Sequence, residues 1–137
     1  IKRRKGASGT YRQLFCYIPR SWGQYGVSAD SLMVKRVSVE EDPISREADF
    51  AVLNWSRGLE PVYQEGAVLA VKRGPVRHNQ LGVFVLNGEG YVRIYQQARG
   101  RRRLMTINRN IMNITLTERD ELRCLGLVLG AVRLAEN

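Results

Sequence analysis

Apolar residues fall along this chain in short runs, mostly of period two or continuous, separated by glycine, proline and charged clusters. That pattern predicts strands and few helices. Residues 11–18 (YRQLFCYI) alternate imperfectly, and residues 34–39 (VKRVSV) read as a half-buried, β-branched strand. Residues 40–47 are acidic and carry Pro43, which predicts a loop or connector. An apolar run follows at 50–55, then Leu59-Glu60-Pro61, which predicts a short helical turn before Gln64-Glu65-Gly66. Residues 67–71 (AVLAV) have the composition of a buried strand. Residues 81–86 and 89–96 flank Asn87-Gly88, a pair that readily supplies two positive φ angles, so a tight hairpin is expected. A second hairpin turns through residues 98–102 into 103–108, and residues 122–132 form an apolar closing strand containing Gly126 and Gly130. Helix signals are weak: Thr117 with Asp120 or Glu121 caps one turn at most.

Four segments carry a resemblance, and they occur in a consistent order. Residues 48–63 (ADFAVLNWSRGLEPVY) resemble a stretch with A-D-F-A followed by G-D-S-M-E-P. Residues 82–92 (GVFVLNGEGYV) followed by Arg93 resemble G-V-F-x-L-N-G-E-G-Y-V-K. Residues 104–108 (LMTIN) resemble L-x-S-x-N-P, with Arg109 where proline is common, and residues 122–128 (LRCLGLV) resemble I-x-G-x-V. These are segments of the LexA-like serine peptidases and the C-terminal domains of phage repressors, and the resemblance covers roughly residues 25–132. It implies a mainly β fold, compact, bent and mostly antiparallel, and usually a homodimer.

The resemblance also assigns chemistry, and this chain departs from it at three positions. The family's serine nucleophile falls on Gly58 and its lysine base falls on Arg93. The cleaved segment, often V-S-A-G, is matched by Val27-Ser28-Ala29 followed by Asp30, so the scissile glycine is replaced. A serine hydroxyl is a weak nucleophile until a neutral amine takes its proton, and lysine can serve because burial lowers its pKa readily. Arginine stays protonated and cannot. No catalytic residue is therefore assigned, and the expectation is a pseudopeptidase.

A replacement dyad of Ser56 with Lys72 is the one alternative nucleophile and base that the sequence offers, because i and i+2 of an extended segment share a face. Against it, Ser56 reads as a turn hydroxyl and Lys72 as a solvated strand end. Ser56, Arg57, Leu59 and Glu60 are candidate residues of the former substrate cleft. Arg93 is expected at the mouth of that cleft or paired with an acid, Glu60 being nearest by motif. His78 lies in the polar loop 73–80 and reads as a surface residue. Cys16 and Cys124 lack metal-ligand spacing, so neither a metal nor any cofactor is expected; Cys124, in an apolar run, is expected to be buried.

A chain of 137 residues with 44% hydrophobic and 26% charged residues suits one globular domain. The reading divides it into a linker and leading strand at 1–20 and the degenerate domain at 21–137. The basic, glycine-containing opening reads as a linker from a longer polypeptide, with a helix-turn-helix domain expected upstream. No apolar run reaches membrane-span length, and the expectation is a soluble cytoplasmic protein without a membrane partner.

The net charge of +9 is unevenly spread. Residues 2–5 and 99–103 hold eight of the 22 basic residues and no acid, leaving 14 against 13 acids elsewhere. The body is thus near neutral, and Arg99, Arg101, Arg102 and Arg103 are the candidate phosphate contacts. The function expected from all this is the dimerisation and regulatory domain of a phage- or mobile-element-type transcriptional repressor that cannot cleave itself, reaching DNA through its helix-turn-helix domain. The alternative is a pseudopeptidase sensor that binds a ligand or antirepressor in the old cleft.

Overall fold

The computed structural model describes residues 9–20 and 27–135. Ten strands form one sheet: β1 (Tyr11–Pro19), β2 (Val27–Ser28), β3 (Leu32–Glu40), β4 (Phe50–Leu53), β5 (Val68–Lys72), β6 (Gln80–Leu86), β7 (Glu89–Ala98), β8 (Arg101–Met105), β9 (Ile114–Thr115) and β10 (Leu122–Val132). Their order is β3-β1-β4-β5-β10-β6-β7-β8-β9, with β2 pairing β7 off this path. The β1–β4 pair is parallel and the other pairs are antiparallel. Among the described residues no helix is long and apolar enough to cross a membrane.

The central strands lack clean alternation because both of their faces are covered. Phe50 and Val52 of β4 and Leu69 and Val71 of β5 enter one core cluster, while Ala51, Val68 and Ala70 enter a second. β10 lies between β5 and β6, and its register shifts twice, between Cys124 and Gly126 and between Val128 and Gly130. Each bulge changes which face the following residues occupy. Val128 therefore packs in the first cluster and Val132 in the second, although four residues separate them. Gly126 permits the close crossing, since a Cβ there would stand 2.6 Å from the Lys72 carbonyl oxygen.

The expected hairpins are present. Asn87 and Gly88 adopt φ of 50° and 85° between β6 and β7, and Arg99 and Gly100 adopt 56° and 75° between β7 and β8. The expected connector at 40–47 instead contains a short helix α1 (Pro43–Glu47), started by a reciprocal cap. The Asp42 carboxylate accepts from Ser45 N–H at 2.7 Å, and the Ser45 hydroxyl accepts from Asp42 N–H at 2.9 Å. The second hairpin's return strand stops at Met105, and residues 106–113 form a loop before β9. Cys124 is exposed rather than buried, its thiol reaching the Gly74 carbonyl at 3.5 Å, whereas Cys16 is buried.

Candidate functional site

The segment between β4 and β5 is closed on itself by a buried amide. The Asn54 side-chain NH2 donates to the Gln64 carbonyl at 2.9 Å, its Oδ1 accepts from Ser56 N–H at 3.1 Å, and its backbone pairs with Ala67 and Gly66. Asn54 can occupy the core because these bonds satisfy it. Leu59, fully buried, anchors the next turn, and its carbonyl accepts from Val62 N–H at 2.9 Å and Tyr63 N–H at 3.0 Å. The sequence predicts a short helical turn here; the chain makes a hydrogen-bonded turn instead, with no helix between β4 and β5. Leu59 is thus a core anchor and does not line a cleft, which corrects its assignment to the cleft wall.

Gly58 sits in the tightest part of this segment. Its N–H donates to Ser56 Oγ at 2.8 Å, and its carbonyl accepts from Ile107 N–H at 2.8 Å and Asn108 N–H at 2.9 Å. Asn108 Nδ2 also donates to the Arg57 carbonyl at 3.1 Å. The start of the 106–113 loop is therefore clamped onto residues 57 and 58. That loop is held internally by Thr106, whose hydroxyl donates to the carbonyls of Asn108 at 2.9 Å and Ile111 at 3.0 Å. The Ser56 hydroxyl is the acceptor of an ST-type turn. Lys72 Nζ lies 3.4 Å from Glu47 Oε1, so the two members of the alternative dyad each engage other groups.

Arg93 extends from β7 under the same loop. Its guanidinium Nη1 donates to the Met112 carbonyl at 2.8 Å and approaches the Leu104 carbonyl at 3.5 Å, and its Cζ stands 5.3 Å from the Tyr91 ring centroid. Only 8% of the residue is exposed. Burial pushes its pKa down, but arginine starts so high that the group stays a cation. The sequence places Arg93 at the mouth of the cleft or on an acid, Glu60 being the nearest by motif. The Glu60 carboxylate lies 3.7 Å from Arg57, and Arg93 is satisfied by main-chain carbonyls instead.

The segment resembling a cleavage site rides on the β6–β7 hairpin. Val27 and Ser28 pair with Gly90 and Glu89, and Ala29 N–H donates to the Gly88 carbonyl at 2.8 Å. Asp30 is exposed in a 3-10 turn capped by the Ser28 side chain. Val27, Trp55, Leu59 and Val92 share one core cluster, with Ile107 packed against it. One apolar body thus gathers the segments around Ala29, Gly58, Arg93 and the 106–113 loop. Sequence reasoning missed the role of Asn54 and Thr106; a polar residue inside an apolar run was the available signal for Asn54.

The four arginines of the β7–β8 hairpin divide between two faces. Register pairs Gln96 with Arg103 and Ala98 with Arg101 on one face, and Gln97 with Arg102 on the other. Arg102 lies close enough to Asp120 to help hold that carboxyl below its ordinary range, after the larger effects of Thr117 and Asn87. The residues 2–5 lie outside the described residues. Among the described residues no group of three or more His, Cys, Asp or Glu is placed to hold a metal ion.

A comparison with curated proteins found no match. The family model described as Peptidase S24-like matches residues 21–129, a stretch that contains all four gathered segments and most of the sheet. On that match, and on the fold that carries it, the chain belongs to the Peptidase S24-like family, which includes LexA and phage repressor C-terminal domains.

Proposed function

We propose that this chain is the dimerisation and regulatory C-terminal domain of a transcriptional repressor of phage or mobile-element type, and that it does not cleave itself. The observation that carries the reading is a pair of positions. Gly58 offers no nucleophile, and Arg93 offers a buried cation in place of a base, with main-chain carbonyls as its acceptors. Such acceptors favour the charged form further, which is the opposite of what proton abstraction from a hydroxyl requires. Asp30 in place of the scissile glycine supports the same reading.

With cleavage absent, the work left to such a domain is assembly. A dimer places two DNA-reading domains together and raises their effective concentration at adjacent half-sites. Among the described residues, Phe15, Met33, Val34 and Leu134 are large apolar side chains left exposed on or beside β1, β3 and the end of β10. Their burial by a second copy would persist in salt, because screening weakens exposed charge pairs and not apolar contact.

Two measurements test the reading. Prolonged incubation of the chain at alkaline pH, followed by intact-mass spectrometry, is expected to give one uncut species. A specific cut between residues 26 and 32 would overturn the loss of cleavage. Light scattering across a salt series is expected to report a dimer throughout; a monomer at tens of micromolar, or a dimer that dissociates as salt rises, would overturn the assembly.

A further inference from the structure

The strongest unassigned feature is a cavity of about 600 Å³ on the side of the β7–β8 hairpin, lined by His78, Gln96, Ala98, Arg99, Arg101 and Arg103. Three guanidinium-bearing residues converge on it and no acid lines it. None of the three is within 4 Å of a carboxylate among the described residues. Arg102, on the opposite face, takes no part.

The cavity wall is fixed before any ligand arrives. Asn79 N–H donates to the Tyr95 carbonyl at 2.7 Å, and Gln97 N–H donates to His78 Nδ1 at 3.0 Å, which ties loop 77–80 to β7. Arg77 N–H closes the same loop on Gln80 Oε1 at 2.8 Å. Because Nδ1 accepts, the neutral imidazole carries its proton on Nε2 and has a donor to spare. The site therefore presents an imidazole N–H, an amide and three guanidinium forks, all suited to oxygen acceptors of negative charge.

Which anion fits follows from what is missing. No Phe, Tyr or Trp lines the cavity to stack a base, and its apolar content is one alanine methyl together with the arginine stems. We propose that this face binds the phosphodiester backbone of nucleic acid without reading its sequence, a contact distinct from any helix-turn-helix domain. The proposal is independent of whether the Gly58 region cleaves.

The test uses the whole 137-residue chain and a fluorescein-labelled 20-base-pair DNA duplex of mixed sequence, followed by anisotropy from low to moderate salt. R101Q/R103Q is compared with R102Q/R123Q, which removes the same charge from the other face of the hairpin and from β10. Removing one phosphate-binding cation lowers the salt slope by about 0.9, so R101Q/R103Q is expected to lower it by about 2 and to weaken binding about 50-fold near 0.1 M salt. R102Q/R123Q is expected to change binding only a few-fold. Circular dichroism checks the fold, and H78A/R99Q, which alters the loop and turn instead of the strand, serves if R101Q/R103Q misfolds. Equal losses in the two double variants overturn the proposal, as does failure of the parent chain to bind duplex. So does loss of binding on neutralising Lys2, Arg3, Arg4 and Lys5 while R101Q/R103Q still binds. A thermal midpoint raised by pyrophosphate beyond chloride of equal ionic strength, with no duplex binding, would reassign the cavity to a small phosphate ester and overturn the proposal.

Discussion

Placing a hydroxyl at residue 58 is expected to weaken the fold without conferring cleavage. A Cβ built on Gly58 would stand 3.0 Å from Ser56 Oγ and 3.0 Å from Thr106 Cγ2, tighter than ordinary van der Waals contact. Neither neighbour gives way freely. Ser56 Oγ holds Gly58 N–H at 2.8 Å, and the Thr106 hydroxyl is spent on the carbonyls of Asn108 and Ile111. Overpacking of this kind costs about 1–3 kcal/mol. Restricting the unfolded chain by replacing glycine returns about 0.4–1 kcal/mol. Gly58→Ser should therefore lose about 1–2 kcal/mol, which lowers the urea midpoint by roughly 0.5–1 M for a domain of this size. Urea unfolding at fixed protein concentration measures it.

A second substitution isolates the cause. Ser56→Ala alone removes the acceptor of Gly58 N–H and should cost about 1 kcal/mol. Combined with Gly58→Ser it also removes one of the two crowding atoms, so the pair should lose less than the sum by about 0.5–1 kcal/mol. Strict additivity, or a Gly58→Ser variant as stable as the parent, refutes the crowding argument. Adding Arg93→Lys should leave the chain uncut at alkaline pH, because Asp30 still stands where the resemblance places the scissile glycine. A cut between residues 26 and 32 in that variant refutes this step.

Three further outcomes follow from particular side chains. Arg93→Ala removes the donor at 2.8 Å from the Met112 carbonyl and leaves a void, so it should lose about 2–4 kcal/mol in urea unfolding and speed hydrogen exchange in residues 106–113; unchanged exchange there would count against the clamp. Burial pushes the Cys16 thiol from 9.0 up to about 11, so the folded state favours the protonated form, and its stability contribution is full below pH 9 and drains as pH rises toward 11. Native alkylation read by mass should accordingly label the exposed Cys124 and spare Cys16, and two labels on folded protein would contradict it. Gly126→Ala would drive its Cβ to within 2.6 Å of the Lys72 carbonyl oxygen, a backbone atom that cannot rotate away, and should lower the thermal midpoint by more than any other single substitution named here.

What was legible in the sequence is what short-range physics decides. Asn87-Gly88 determines its own φ angles, so the β6–β7 hairpin could be read from two residues. The continuous apolar runs of β4 and β5 could be read as strands because burial on both faces removes alternation. The cap on α1 was harder, since its third helical residue is Ser45 rather than the more familiar Glu or Gln, and the hydroxyl reaches back equally well.

Two features of this chain depend on neighbours that a sequence does not display. Inside or outside for a side chain on β10 depends on parity, and each bulge alters it, so Val128 and Val132 pack in different clusters although the run reads as one apolar strand. Arg93 is the same kind of case in another form. Its partner is a main-chain carbonyl supplied by a loop 19 residues further on, and carbonyl groups are identical at every position of a sequence. A sequence motif can point only to a carboxylate, because only side chains differ from one position to the next. A buried arginine needs acceptors, not acids, and once the 106–113 loop is clamped to Gly58 by Ile107 and Asn108, its carbonyls are held where the guanidinium can reach them. Gly58 and Arg93 thus lean on one loop, so a substitution that loosens either end of it should be felt at the other.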